Sequence, residues 1–152
     1  MGRLRFALVV AAALLALDAG AARAAGESPI GIGEVSAGAS SADIGVEALR
    51  AMVAEAVDGL DARAMPRGSS AVLSVSVVRL ESHVASPADV TCVVSATLRD
   101  RRGGSVFAVM EGSARGQDEP RRVRALERSI LRAAVQSAIA RVPEAMKRRR
   151  RR

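Results

Sequence analysis

Three stretches of the chain alternate apolar and polar residues with a period of two, and two others repeat apolar residues every three or four. The first pattern predicts strands and the second predicts helices. Ala71 to Leu80 sets Leu73, Val75 and Val77 on one face and Ser74 and Ser76 on the other. Val90 to Arg99 alternates more cleanly, with Val90, Cys92, Val94, Ala96 and Leu98 inward and Thr91, Ser95, Thr97 and Arg99 outward. Ser105 to Ala114 follows, with Val106, Ala108 and Met110 on its inner face. Asp100-Arg101-Arg102-Gly103-Gly104 reads as a hairpin turn, because glycine adopts positive φ without steric penalty. His83 to Asp89, which contains Pro87, is a longer hairpin connection between the first two runs.

The helical patterns flank these runs. Over residues 44–60, Leu49, Met52, Val53, Ala56, Val57 and Leu60 share one face. Asp43 is the expected N-cap and Glu47 favours the positive end of the helix dipole. Glu55, Asp58 and Asp61 fall on the far side or at the end, and Arg63 to Ser70, with Pro66 and Gly68, is a loop. A second helix is expected from Asp118-Glu119-Pro120 to about Val142, ahead of Pro143. Val123, Leu126, Ile130, Ala134 and Ala138 form its apolar stripe, widened by Leu131, Val135, Ile139 and Val142. Residues 25–42 are rich in Gly and Ser and form either a linker or a first strand around Ile30 to Val35, since Gly31 and Gly33 weaken a strand. Gly31-Ile32-Gly33 is only half of a dinucleotide-binding fingerprint and lacks its third glycine. The expected fold is α+β, an antiparallel sheet of three to four strands with two helices packed on one face, in a single domain over residues 43–146.

The two ends of the chain read differently from this body. Arg3 and Arg5, the apolar run Phe6 to Leu17 and the small-x-small site Ala22-Arg23-Ala24 make residues 1–24 a secretory signal. The run is too short to span a bilayer, and no later stretch is long and apolar enough to do so. No cysteine lies near the expected cut, so an acylated anchor there is not expected. The whole chain carries 23 basic and 16 acidic residues, a net of +7. Without residues 1–24 there remain 20 basic and 15 acidic groups, and six of the basic ones form the terminal run Lys147, Arg148, Arg149, Arg150, Arg151 and Arg152. The body is therefore nearly neutral, and residues 147–152 are expected to be a disordered basic tail. Arg124, Arg128 and Arg132 recur every four residues on the second helix and form a second candidate row for polyanions.

Composition removes several chemistries. The chain has two Phe, no Trp and no Tyr, and Phe6 lies in the leader, so base stacking and aromatic cages are not available. A single cysteine, Cys92, and a single histidine, His83, cannot build a zinc site or a disulfide framework within one chain. No metal and no cofactor is expected. His83 and Ser82 are neighbours on a strand and point to opposite faces, while Cys92 sits inward, where a thiol behaves as a small hydrophobe and resists labelling until the protein is denatured. Lys147 is the only lysine, so no phosphate loop of the Gly-rich, Lys-bearing kind is present.

The strand ending in Leu98-Arg99-Asp100, the turn at Gly103-Gly104, the strand from Val106 and the small-residue close Gly112-Ser113-Ala114-Arg115-Gly116 together resemble a bacterial envelope domain. It is similar to the amino-terminal domain of TolB, the CsgG-type secretion lipoproteins and the penicillin-binding-protein activator lipoproteins, over roughly residues 28–142. The resemblance implies a periplasmic adaptor; this chain lacks the lipoproteins' anchoring cysteine and the apolar insertions of the secretion channels, so a channel is not implied.

The expected function is an exported, periplasmic or secreted, non-enzymatic adaptor whose sheet face or edge strand binds another envelope protein. An alternative is polyanion binding (anionic lipid, lipopolysaccharide or wall polymer) through the basic tail and the helix arginines, without sequence-specific nucleic acid recognition. A hydrolase using carboxylates at Glu81 and Asp89 ranks last.

Overall fold

The computed structural model describes residues 28–38 and 44–151. The expected leader, Asp43 and Arg152 lie outside the described residues. Seven main elements follow one another: β1 (Ile30–Ser36), α1 (Val46–Asp58), β2 (Ala71–His83), β3 (Ala88–Asp100), β4 (Val106–Asp118), α2 (Val123–Ile139) and α3 (Val142–Arg150). Single 3-10 turns stand at Ala62–Ala64 and Pro120–Arg122. The four strands form one sheet in the order β1-β2-β3-β4. The Gly-rich segment is thus a first strand, not a linker.

The sheet is mixed where an antiparallel one was expected. β1 runs parallel to β2, and the other two pairings are antiparallel. Parallel neighbours need a long crossover, and the segment carrying α1 supplies it. The α1 N-cap is Gly45, without a side-chain hydrogen bond.

The core lies between one sheet face and the helices. Leu73, Val75 and Val77 of β2 and Val90, Cys92, Val94, Ala96 and Leu98 of β3 are all buried, as the alternation predicts. Leu49, Val53, Leu131, Val135 and Ile139 close over them from α1 and α2. The approach of α2 to β4 is closest at two glycines. A Cβ on Gly112 would stand 2.1 Å from the Ala134 carbonyl oxygen, and one on Gly116 would stand 2.6 Å from Ile130 Cδ1. Small residues on β4 therefore let the α2 backbone lie almost on the strand.

Two bulges alter the faces that simple alternation assigns. Val78 is the extra residue between Val77 and Arg79, and Phe107 the extra residue between Val106 and Ala108. The second bulge pairs Val106 with the outward-facing Arg99. Val106 is consequently 53% exposed and not on the inner face, because one inserted residue reverses the parity of a strand.

The carboxyl-terminal end departs most from expectation. α2 stops at Ile139, and Pro143 opens α3 instead of closing α2, since proline fits a first helical turn where its missing N–H is not needed. Residues 147–150, expected to be disordered, are helical. Val142 and Met146, one turn apart, are buried at 0% and 1% exposure and pin this helix to the body.

Candidate functional site

The two candidate basic rows are kept apart by the fold. Leu126 and Ile130 near the start of α2 lie over Gly116, toward one end of β4. Arg149 of α3 lies over Phe107, at the other end. The step from Val106 to Gly116 is roughly 33 Å at about 3.3 Å per residue. Arg124, Arg128 and Arg132 are all exposed. Arg132 Nη2 faces Glu55 Oε2 of α1 at 3.7 Å, and no ion pair forms at Arg124 or Arg128 among the described residues.

At the other end, α3 meets two loops. Arg149 donates to Asp100 Oδ2, and its guanidinium carbon lies 4.6 Å from the Phe107 ring centroid. Asp100 has a second task. Its Oδ1 accepts from the backbone N–H groups of Arg102 at 2.7 Å and Gly103 at 3.3 Å, while Gly104 takes the positive φ that closes the turn. The N–H of Arg102, that of Gly103 and the nearby Arg149 hold the Asp100 carboxyl below the ordinary carboxylate range. One carboxylate thus shapes the β3–β4 turn and anchors α3 to it. Nothing in the local sequence pattern marks Asp100 for the second role, because its partner lies 49 residues away.

Two shallow adjoining clefts open beside this anchor. The first, of about 410 Å³, is bordered by Arg67, Asp100, Arg102, Met146, Arg149 and Arg150. The second, also about 410 Å³, is bordered by Arg63, Met65, Pro66, Lys147, Arg150 and Arg151. Arg63 is presented by a short turn whose first N–H is capped by Asp61 Oδ1 at 2.8 Å. Arg67 precedes Gly68, whose φ of +73° turns the loop back toward β2. Arg63, Arg67, Arg102, Lys147, Arg150 and Arg151 are all exposed, and among the described residues none of these side chains forms an ion pair. Arg148 differs, pairing with Glu144 one turn earlier at 3.3 Å.

A third feature is the free edge of the sheet. β4 pairs with β3 on one side only, and no other strand lies on its opposite side among the described residues. Val109 is 63% exposed there. A long groove of about 1190 Å³ runs between this strand and the α2–α3 junction, bordered by Val106, Phe107, Val109, Ala140, Arg141 and Arg148.

The remaining residues singled out from the sequence lie elsewhere. Cys92 is fully buried, and burial pushes its thiol up to about 11. His83 is exposed. Ser82 donates to Glu127 of α2. Asp89 is held by Arg115 Nε at 2.9 Å and Gln117 Nε2 at 3.0 Å, and these two bonds, Arg115 first, lower its pKa.

Comparison with known proteins places the fold. No protein-family model matches the chain, and no curated protein does. The structure is similar to that of protein XCC0632 from Xanthomonas campestris, of family DUF330, with a TM-score of 0.60 and 15% identity over 81% of this chain and 88% of that one. It is also similar to a "putative lipoprotein" from Caulobacter crescentus CB15, with a TM-score of 0.51 and 17% identity over 78% of this chain and 88% of that one. At these identities the likeness is one of fold. It does not extend to the TolB, CsgG-type or penicillin-binding-protein activator groups by name. What the chain shares with these two bacterial proteins is an α+β architecture.

Proposed function

We propose that the protein is an exported, non-enzymatic binding domain of the bacterial cell envelope, acting through protein–protein contacts along the open edge of β4. The observation that carries this reading is the thirteen-residue edge strand itself. Its unpaired N–H and C=O groups can be completed by a partner strand. Edges of this length are usually blunted or covered because they invite pairing. Here Val106 and Val109 stand exposed beside a groove that would receive alternate side chains of such a strand. Export is supported by the leader pattern at residues 1–24 and by the shared fold with the Caulobacter protein described as a lipoprotein. None of the described helices is long and apolar enough to cross a membrane.

The test is affinity capture from envelope extract with the chain from residue 25 onward as bait, in wild-type form and as Val109→Lys and Val78→Lys. Val78 is equally exposed, at 58%, but belongs to the β2 bulge. A partner recovered by wild type and Val78→Lys but lost from Val109→Lys is the expected result. Equal recovery by all three, or recovery of nothing above background, contradicts the reading.

A further inference from the structure

We propose that the end of the molecule formed by α3, the 62–68 loop and the β3–β4 turn docks on an anionic lipid surface, with Arg63, Arg67, Arg102, Lys147, Arg150 and Arg151 facing the headgroup phosphates. This inference is independent of the β4 edge and uses none of its residues. Three segments distant in sequence deliver these six cations to two adjoining clefts that share Arg150. Unpatterned surface charge does not require such convergence. The fold also fixes the presentation, since Asp100 locks the turn that carries Arg102 and holds α3 through Arg149.

The shape favours a surface over a small anion. The clefts are shallow and side by side, and their cations are exposed, so they offer an array of charges and no enclosed cavity. An anionic leaflet is a matching array, which attracts clustered Lys and Arg additively near its surface. A nucleic acid fits less well. Its single strands are held largely by stacking on aromatic planes, and Phe107, the one aromatic among the described residues, lies beneath Arg149. Two carboxylates lie at this end, and both are engaged. Asp61 caps its turn and Asp100 takes Arg149.

The experiment is co-sedimentation of the chain from residue 25 onward with two kinds of vesicle, phosphatidylcholine alone and phosphatidylcholine mixed with phosphatidylglycerol. Wild type is expected to pellet only with the anionic vesicles. It should be released at about 0.5 M salt, where screening acts within a few ångströms. The triple variant Arg63→Gln, Arg67→Gln, Arg102→Gln, which leaves α3 intact, should lose about tenfold or more in apparent affinity. The comparator Arg124→Gln, Arg128→Gln, Arg132→Gln removes the same charge from α2 and should lose less than about twofold, since that row lies well outside a Debye length of the site. Thermal melts of both variants verify folding. Equal losses in the two triples would overturn the site in favour of net charge alone. Failure of wild type to pellet with anionic vesicles, including the case where it binds inorganic polyphosphate in solution, would overturn the lipid surface as its ligand.

Discussion

Two helices of this protein carry rows of arginine, and the fold treats them in opposite ways. α2 bears Arg124, Arg128 and Arg132 at a regular spacing, and this regularity only sets them on one exposed face of a helix that is buried on the other. α3 bears a run of cations without spacing, and there Val142 and Met146 decide the outcome by burying one side of the helix. The regular row stays at the surface, with Arg132 alone reaching a partner on α1. The irregular run is joined by arginines from two loops and becomes part of a composite basic end. Charge pattern along a chain is thus a weaker guide to a binding face than the apolar residues that aim it.

The sharpest way to break the comparison acts on what holds each helix. α2 is held by backbone proximity to β4, so Gly112→Val should be the most damaging change. Its side chain has no room beneath the Ala134 carbonyl. A loss of about 3 kcal/mol or more is expected in chemical denaturation. α3 is held by side chains, so Met146→Ala should cost about 2 kcal/mol, at the low end for a buried methionine because a terminal helix can settle into the space. Circular dichroism should show helix lost from α3 while α2 persists.

Smaller effects separate the anchors of α3 from one another. Phe107→Leu keeps an apolar contact but removes the ring face under Arg149, with an expected loss of about 0.5 kcal/mol at this partly exposed site. Asp100 gives the mildest effect and one that depends on pH. Its folded-state pKa lies below the unfolded value. Its contribution is therefore complete above the ordinary carboxylate range and disappears as pH falls below about 4, through the lowered pKa. Melting temperature measured from pH 6 down to pH 2 should fall less steeply in Asp100→Asn than in wild type. Identical profiles would remove Asp100 from its anchoring role.

Much of the fold was legible where one residue type repeated at one period. The alternation from Val90 to Leu98 predicts its faces correctly because β3 is central and unbulged over that span, flanked by β2 and β4. Cys92 was placeable for the same reason. Legibility ended where a feature depends on distant residues. β1 pairs in parallel with β2, and no local pattern distinguishes that from a linker containing Gly31 and Gly33. Val106 reads as inward until the bulge at Phe107 is known. Helix α3 is hidden because its basic residues mask a two-residue apolar stripe and because Pro143 signals a stop as readily as a start. The basic end is the least legible feature, since no stretch of sequence contains more than part of it.

Backbone hydrogen exchange across Met146 to Arg150 tests most directly whether the basic run is an ordered helix packed on the body. Those amides donate within α3 and should exchange more slowly than an unstructured peptide of the same sequence, with Met146→Ala abolishing the protection. Exchange at the rate of that free peptide in the wild-type chain would contradict the packed helix, and with it the basic end that the helix completes.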